Sequence, residues 1–279
     1  MKTRIKSGVL MLPFLILVFL GGWFLFAGVF ALTIFCLREY AGAFGEKRPA
    51  AWVFIASAVI LFAGYLIPPF RSYIILPWIF VSVILCFLSM FPMEKRGLMQ
   101  GFATFVGVFY VIFLAFHIVL VDAFPNATDP IHISKDFQFS GIHSFVWIIV
   151  LAAFGTDVFA FFTGRLIGSR KLCPQISPNK TVEGAIGGML GSVILCGLFG
   201  WFFLPGGFLD CVIIGLLGGV VSQLGDLSAS VLKRHIGVKD WGTLIPGHGG
   251  LLDRVDSVLF TAPLVFYYLL FKTAILQAL

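Results

Sequence analysis

The chain has 279 residues, of which 59% are hydrophobic and only 11% are charged. A soluble domain carries about 25% charged residues, so this composition excludes a soluble fold and predicts a protein surrounded by lipid. In such a chain the formal net charge of +6 indicates membrane topology and contact with anionic lipid, and we expect no nucleic-acid partner.

Apolar segments recur along the whole chain, and a span of the hydrocarbon core needs roughly 17–25 residues. The first apolar block, from about residue 8 to 37, is too long for one span and contains Gly21-Gly22. We therefore predict two short spans joined by a tight turn, although one kinked helix would give eight spans instead of nine. Seven further spans are predicted at about 50–67, 74–92, 101–122, 142–164, 184–204, 207–225 and 255–276. The fold class is an all-α polytopic transmembrane protein of about nine spans.

The placement of basic residues orients these spans. With the N-terminus in the cytoplasm, only Arg71, Lys135 and Lys272 of the 19 Lys and Arg residues fall outside. This asymmetry follows the positive-inside rule, and one span fewer at the start would invert it. The predicted organisation has a scaffold of N-terminal helices (1–140), with lipid-facing and dimer contacts, and a catalytic region (141–279) with cytoplasmic loops 165–183 and 226–254.

Polar residues gather in two stretches of the C-terminal half, residues 157–183 and 223–256. Charged groups at membrane depth are energetically costly and usually serve a function. Basic members of these stretches include Arg165, Lys171, Lys180, Lys233, Arg234 and Lys239. Taken alone they are typical of a solvated inner membrane surface. Because they alternate with acidic groups, they also predict a site where Lys and Arg neutralise phosphate oxygens.

The carboxylates of the same stretches predict a metal site. Asp226 closes the eighth predicted span, while Asp253 and Asp256 begin the ninth and, three residues apart, share one helix face. If these spans pack together, the three carboxylates converge at the membrane surface, and Asp157 on the sixth span joins them. Oxygen-only ligands suit a hard cation such as Mg²⁺. The alternative for Asp253 and Asp256 is an acidic first turn that complements the helix dipole.

A glycine-rich segment, residues 246–250, leads directly into the helix that begins near Asp253. Glycine lets backbone N–H groups approach an anion closely, and a helix N-terminus favours negative charge. The segment is also compatible with a plain turn. Within it, His248 would transfer a proton, bind phosphate or make an ordinary hydrogen bond. The residues by themselves thus predict a membrane enzyme that acts on phosphates with a divalent metal at the cytoplasmic face.

The segment from Ser230 to Asp256 resembles the motif of the phosphatidate cytidylyltransferase (CDP-diacylglycerol synthase) family, S-x-x-K-R-x4-K-D-x-G-x2-[LI]-P-x-H-G-G-x2-D-R-x-D. Its fixed positions are met by Ser230, Lys233, Arg234, Lys239, Asp240, Gly242, Ile245, Pro246, His248, Gly249, Gly250, Asp253, Arg254 and Asp256. The upstream residues Asp157, Gly164, Arg165, Lys171, Ser177, Lys180, Thr181 and Glu183 are similar to the family as well. The chain departs from many members at Ala229, where they carry Glu, and at Phe161, where they carry Tyr.

The resemblance implies that CTP and phosphatidate react to give CDP-diacylglycerol and pyrophosphate, in the cell (inner or plasma) membrane, with the active site facing the cytoplasm. It implies Asp226, Asp253, Asp256 and Asp157 as ligands of Mg²⁺, with a second cation in a binuclear site. It implies a catalytic set of Asp226, Lys233, Arg234, Lys239, His248, Asp253 and Asp256. Phosphate binding falls to Arg165, Lys171, Ser177, Lys180, Thr181, Lys233, Arg234, Lys239, Gly249 and Gly250. Members of the family also imply a homodimer.

Three alternatives remain at this point, one of which is a catalytically inactive member of the family, indicated only by the departure at Ala229. A different metal-dependent lipid phosphate transferase, such as a CDP-alcohol phosphotransferase, would carry D-G-x2-A-R-x8-G-x3-D-x3-D, which this chain lacks. A polytopic transporter would place polar residues at the bilayer midplane and show paired repeats. Here the polar residues cluster at one face of one half of the chain.

Overall fold

The computed structural model describes residues 15–71, 73–91, 97–124, 144–204, 206–244 and 249–278. The helices are α1 (Gly22–Ala43), α2 (Ala51–Leu66), α3 (Ile75–Leu88), α4 (Leu98–Asp122), α5 (Ser144–Ile167), α6 (Val182–Phe203), α7 (Phe208–His235) and α8 (Leu252–Ala278). In these ranges six helices are long and apolar enough to cross a membrane, while α2 and α3 are shorter apolar helices. A polytopic helical membrane protein is therefore confirmed, and the count of nine spans and the orientation stay predictions.

The predicted turn at the start of the chain is present. Residues 15–20 are helical, and Gly21 and Gly22 then adopt φ values of 58° and 50°, a region that favours glycine over residues with a side chain. Leu17 lies against Gly28 of α1, where a Cβ would come within 2.6 Å of its Cδ1. The helical segments on the two sides of the glycine pair therefore pack against each other.

The four C-terminal helices, α5 to α8, form the most closely packed part of the protein, and glycines permit this packing. A Cβ on Gly188 of α6 would lie 2.7 Å from the backbone oxygen of Thr156 on α5, and one on Gly184 would lie 2.9 Å from that of Ala160. Small residues allow membrane helices to approach backbone to backbone. This close packing sets the distances between the polar groups at the ends of the helices.

Helix α7 continues beyond the predicted span, because residues 226–235, which we expected to begin a cytoplasmic loop, are helical. The helix ends in a Schellman motif, in which Gly237 has φ 77° and Val238 donates its N–H to the carbonyl of Lys233 at 2.9 Å. Gly237 is the first glycine after Gly225, and glycine is the residue best suited to that left-handed conformation. Lys233 and Arg234 therefore lie on a helix and not in a loop.

The predicted loop 165–183 is also largely ordered. Helix α5 extends to Ile167, and a two-stranded antiparallel hairpin follows, formed by β1 (Lys171–Cys173) and β2 (Ser177–Thr181). The expectation of an all-α protein is thus correct for the membrane helices and omits this small hairpin. Helix α6 begins directly after it, with the Thr181 side chain accepting the N–H of Gly184 at 3.1 Å as its N-cap.

Candidate active site

A cavity of about 620 Å³ lies where α5 and α7 approach their C-terminal ends and α6 and α8 begin. It is lined by Asp157, Ala160, Phe161, Gly164, Arg165, Leu172, Asn179, Lys180, Thr181, Gly184, Ala185, Gln223, Asp226, Lys233, Asp240, Asp253, Arg254 and Asp256. The two polar stretches of the sequence therefore meet in one site, as the charge pattern predicts. All four carboxylates expected to converge are on its wall.

Three of these carboxylates influence one another. The charge of Asp226 on α7 acts on both Asp157 of α5 and Asp256 of α8. Asp256 is 5% exposed and accepts the backbone N–H of Ser257 at 2.7 Å. The Ser257 hydroxyl donates to Asp157 at 3.4 Å. Negative charges held this close in a partly desolvated cavity create a strong local attraction for cations.

Asp253 has a different environment, because donors from the protein surround it. Its Oδ1 lies 2.6 Å from Nζ of Lys233, and the side chains of this ion pair are only 4% and 9% exposed. Its Oδ2 accepts the backbone N–H of Trp241 at 2.8 Å and that of Gly250 at 3.0 Å. The N–H of Gly250, which we expected to face a phosphate, is directed at this carboxylate instead. Asp253 therefore fastens the segment after α7 to the start of α8.

The hairpin brings a second lysine to the site, since Lys180 on β2 forms an ion pair with Asp226. The hairpin is in turn held by Glu183, whose carboxylate accepts from the hydroxyl of Ser169 at 2.7 Å and from the backbone N–H groups of Ser169 and Arg170 at 3.0 and 3.2 Å. Each of the two lysines on the cavity wall is thus paired with one aspartate. Their ammonium groups are positioned before any substrate arrives.

The remaining predicted residues divide into those at the cavity and those beside it. Arg165 lines the cavity, whereas Ser177, Lys171, Lys239 and Arg234 do not. Arg234 donates to the carbonyls of Ile176 and Val238 at 3.4 and 2.9 Å, and so joins the hairpin turn to the segment after α7. Gly249 adopts φ 82° beside Asp253. The predictions for Ile245, Pro246 and His248 lie outside the described residues.

Sequence reasoning did not single out several residues that the fold brings to the site. Gln223 lines the cavity and donates to the carbonyls of Ala185 and Gly219, both at 3.0 Å. Glu39 of α1 accepts the N–H of Leu252 at 2.9 Å. Glu39 is a single acidic residue just after the first predicted apolar block and belongs to no motif, so the sequence contained no signal for this contact. Ala229 is fully buried and is not among the residues on the cavity wall.

The donor types at the cavity fit a hard cation, since five carboxylates, Asp240 among them, and no thiolate or imidazole of the described chain line it. The lysine pairs of Asp226 and Asp253 occupy part of this donor set. Among the described residues, no three His, Cys, Asp or Glu side chains are grouped closely enough to form a ready metal site. The assignment of Asp157, Asp226, Asp253 and Asp256 as Mg²⁺ ligands therefore stays a prediction.

The chain is similar to known proteins along almost its entire length. The model of the Cytidylyltransferase family matches residues 2–272. The phosphatidate cytidylyltransferase of Synechocystis is 33% identical over 281 residues, which cover 94% of each chain. Proteins of the same name from Bacillus subtilis and Helicobacter pylori are each 44% identical, over 45% and 46% of this chain and 47% and 46% of their own.

Proposed function

This chain belongs to the cytidylyltransferase family, and we propose that it transfers CMP from CTP to phosphatidate, giving CDP-diacylglycerol and pyrophosphate. The observation that carries the proposal is a single cavity with five carboxylates and two positioned lysines at the ends of apolar helices. The names of the relatives support phosphatidate as the acceptor. The site chemistry supports a nucleoside triphosphate as the donor, because its polyphosphate needs several positive charges.

In this reaction an oxygen of the lipid phosphate attacks the α-phosphorus of CTP, and the bond from that phosphorus to the pyrophosphate oxygen breaks. A phosphate monoester dianion is already nucleophilic, so the protein needs no strong general base. Catalysis then consists of aligning the reactants and neutralising charge. Lys180 and Lys233 are held at the cavity wall by Asp226 and Asp253, and we assign both lysines to phosphate oxygens, together with Arg165.

A divalent cation, which we propose to be Mg²⁺, would be held by Asp157, Asp226 and Asp256, with Asp253 as a further donor. When bound, this cation, together with a second one in a binuclear site, would supply positive charge that neutralises phosphate oxygens during the transfer. Because Asp226 is paired with Lys180, a cation held by Asp226 would compete with this ion pair, and the Lys180 ammonium group would then be available to phosphate oxygens.

The lipid substrate has a path from the bilayer. Phe161 lines the cavity while 59% of its surface is exposed, and Val158 and Phe162 beside it on α5 are more than half exposed. Such an apolar face lies in lipid, so acyl chains remain in the bilayer while the headgroup reaches the cavity. We propose a cytoplasmic opening, in agreement with the distribution of basic residues, and a homodimer, as the family resemblance implies.

The decisive experiment uses the purified chain in detergent or nanodiscs with CTP, Mg²⁺ and short-chain phosphatidate. Pyrophosphate and CDP-diacylglycerol should form in equal amounts, and Asp226→Asn should abolish both. Asp210→Asn is the matched control, because Asp210 lies on the same helix but pairs with Lys272 and Tyr268 away from the cavity. A wild-type chain that binds phosphatidate yet releases no pyrophosphate would contradict the assignment, and acceptance of an alcohol in place of phosphatidate would favour another lipid transferase.

A further inference from the structure

Glu39 connects the N-terminal helices to the catalytic region. It lies near the C-terminal end of α1, and its Oε2 accepts the backbone N–H of Leu252, the first residue of α8, at 2.9 Å. The first N–H groups of a helix have no partner within the helix, and its N-terminus favours negative charge. The carboxylate of Glu39 thus caps α8 from a helix 213 residues earlier in the chain.

Two glycines of the Ser230–Asp256 motif make room for this carboxylate. A Cβ on Gly242 would lie 2.7 Å from Oε1 of Glu39, and a Cβ on Gly250 would lie 2.6 Å from its Oε2. Neither glycine has a positive φ, so their backbone conformation is open to other residues. The constraint is space: each glycine lets its segment approach Glu39.

The next residue of α1 supports the same segment. The ring of Tyr40 lies 5.2 Å, between centroids, from the ring of Trp241, which is 2% exposed. The backbone N–H of Trp241 donates to Asp253. Two segments meet at Asp253, the start of α8 and the segment around Trp241. Glu39 contacts the first through Leu252, and Tyr40 contacts the second through Trp241.

Within the described ranges, one oxygen of the Glu39 carboxylate gains no hydrogen bond from this arrangement. Oε1 of Glu39 is buried and has no hydrogen-bond partner among the described residues, and an unsatisfied buried oxygen opposes folding. Glu39 also does not line the cavity. A carboxylate that stays in place although one of its oxygens lacks a partner in the part of the chain that the structure describes, and that holds the first amide of α8, acts on the orientation of the residues that follow.

We propose that Glu39 is a positioning residue, which sets the orientation of Asp253, Arg254 and Asp256 by holding the amide of Leu252. This inference rests on the proposed function for its kinetic test. Glu39→Ala should lower kcat by about tenfold or more, as expected for the loss of a charge-assisted hydrogen bond whose effect reaches the transition state. The KM for CTP should change little, since Glu39 does not contact the cavity.

The chain offers a second way to disturb the same contact. Gly242→Ala introduces a methyl group whose three nearest heavy atoms all belong to Glu39, so it should displace the carboxylate and reproduce the kcat of Glu39→Ala. The double variant should be no worse than either single one. Glu39→Gln keeps an acceptor oxygen and should recover much of the activity. Glu46→Ala, at an exposed carboxylate just beyond the end of α1, is the matched control and should behave as wild type.

Hydrogen exchange separates this inference from the proposed function. In Glu39→Ala the amide of Leu252 should exchange faster, whereas in Glu46→Ala it should not, and this readout needs no activity. If the wild type makes no CDP-diacylglycerol, the proposed function fails and exchange still tests Glu39. The positioning role is overturned if exchange at Leu252 is unchanged, if Glu39→Gln is as impaired as Glu39→Ala, or if the effects of Glu39→Ala and Gly242→Ala multiply.

Discussion

The buried ion pair between Lys233 and Asp253 makes the sharpest test of how the site is built. Its charged atoms are 2.6 Å apart, and the two side chains are 9% and 4% exposed. Removing one partner of such a pair costs roughly 3–5 kcal/mol, because the other charge stays buried without compensation, whereas replacing both with apolar residues is often close to neutral. Asp253→Asn and Lys233→Met should therefore each be strongly destabilising.

The two single changes are not expected to be equal. In Lys233→Met the carboxylate keeps the N–H groups of Trp241 and Gly250, so the cost should fall at the lower end of that range. In Asp253→Asn the amide oxygen would keep these two donors, and the amide NH₂ would then face the ammonium group of Lys233. Because two donors would face each other, this change should cost more than Lys233→Met. The double variant should recover roughly 2 kcal/mol or more relative to the sum of the single changes.

The measurement is a double-mutant cycle of unfolding in mixed micelles, with CDP-diacylglycerol synthesis followed in parallel. Activity should be lost in all three variants, since both side chains line the cavity. Recovery of stability without recovery of activity would show that the pair serves the reaction and not the fold alone. Additive destabilisation, with a coupling below about 0.5 kcal/mol, would refute a buried, mutually compensating pair.

Three further predictions address packing, the hairpin and the metal. Gly188→Ala should destabilise the protein by about 1–3 kcal/mol, since its Cβ would lie 2.7 Å from a backbone oxygen of α5; Gly42→Ala, with open space around it, should be neutral in the same unfolding assay. Glu183→Gln should raise the KM for CTP several-fold with an unchanged unfolding midpoint, because it weakens the contacts that hold the hairpin carrying Lys180. An unchanged KM would count against the hairpin as a nucleotide contact. EDTA should abolish activity, and Asp157→Asn should raise the Mg²⁺ concentration that gives half-maximal rate; an unaltered Mg²⁺ titration would remove Asp157 from the ligand set.

The sequence by itself determined the class of the protein and the parts of its site. Hydropathy marks the membrane helices because a span must be apolar over a fixed length. Most observed helices end within a few residues of the predicted spans, whereas α7 continues to His235, beyond the predicted end at residue 225. The two polar stretches were expected to meet because charges at membrane depth need one another, and they line one cavity. The motif from Ser230 to Asp256 indicated the family, which the similarity along the chain confirms.

The tertiary structure decided which charges are partners. The sequence places lysines and aspartates in the same stretches, but the pairs Lys180–Asp226 and Lys233–Asp253 follow from how the hairpin, α7 and α8 lie relative to one another. The structure also shows that α7 continues to His235, because Gly237, and not the end of the apolar segment, terminates the helix.

Glu39 is the clearest case of a role that sequence alone does not contain. Its partner, Leu252, is 213 residues away, and nothing in the composition around either residue relates them. The glycines at 242 and 250 belong to the motif, but only the structure shows that a side chain at either position would collide with the carboxylate of Glu39. Local patterns predict elements and donor types, whereas contacts between distant segments depend on the packing of the whole bundle.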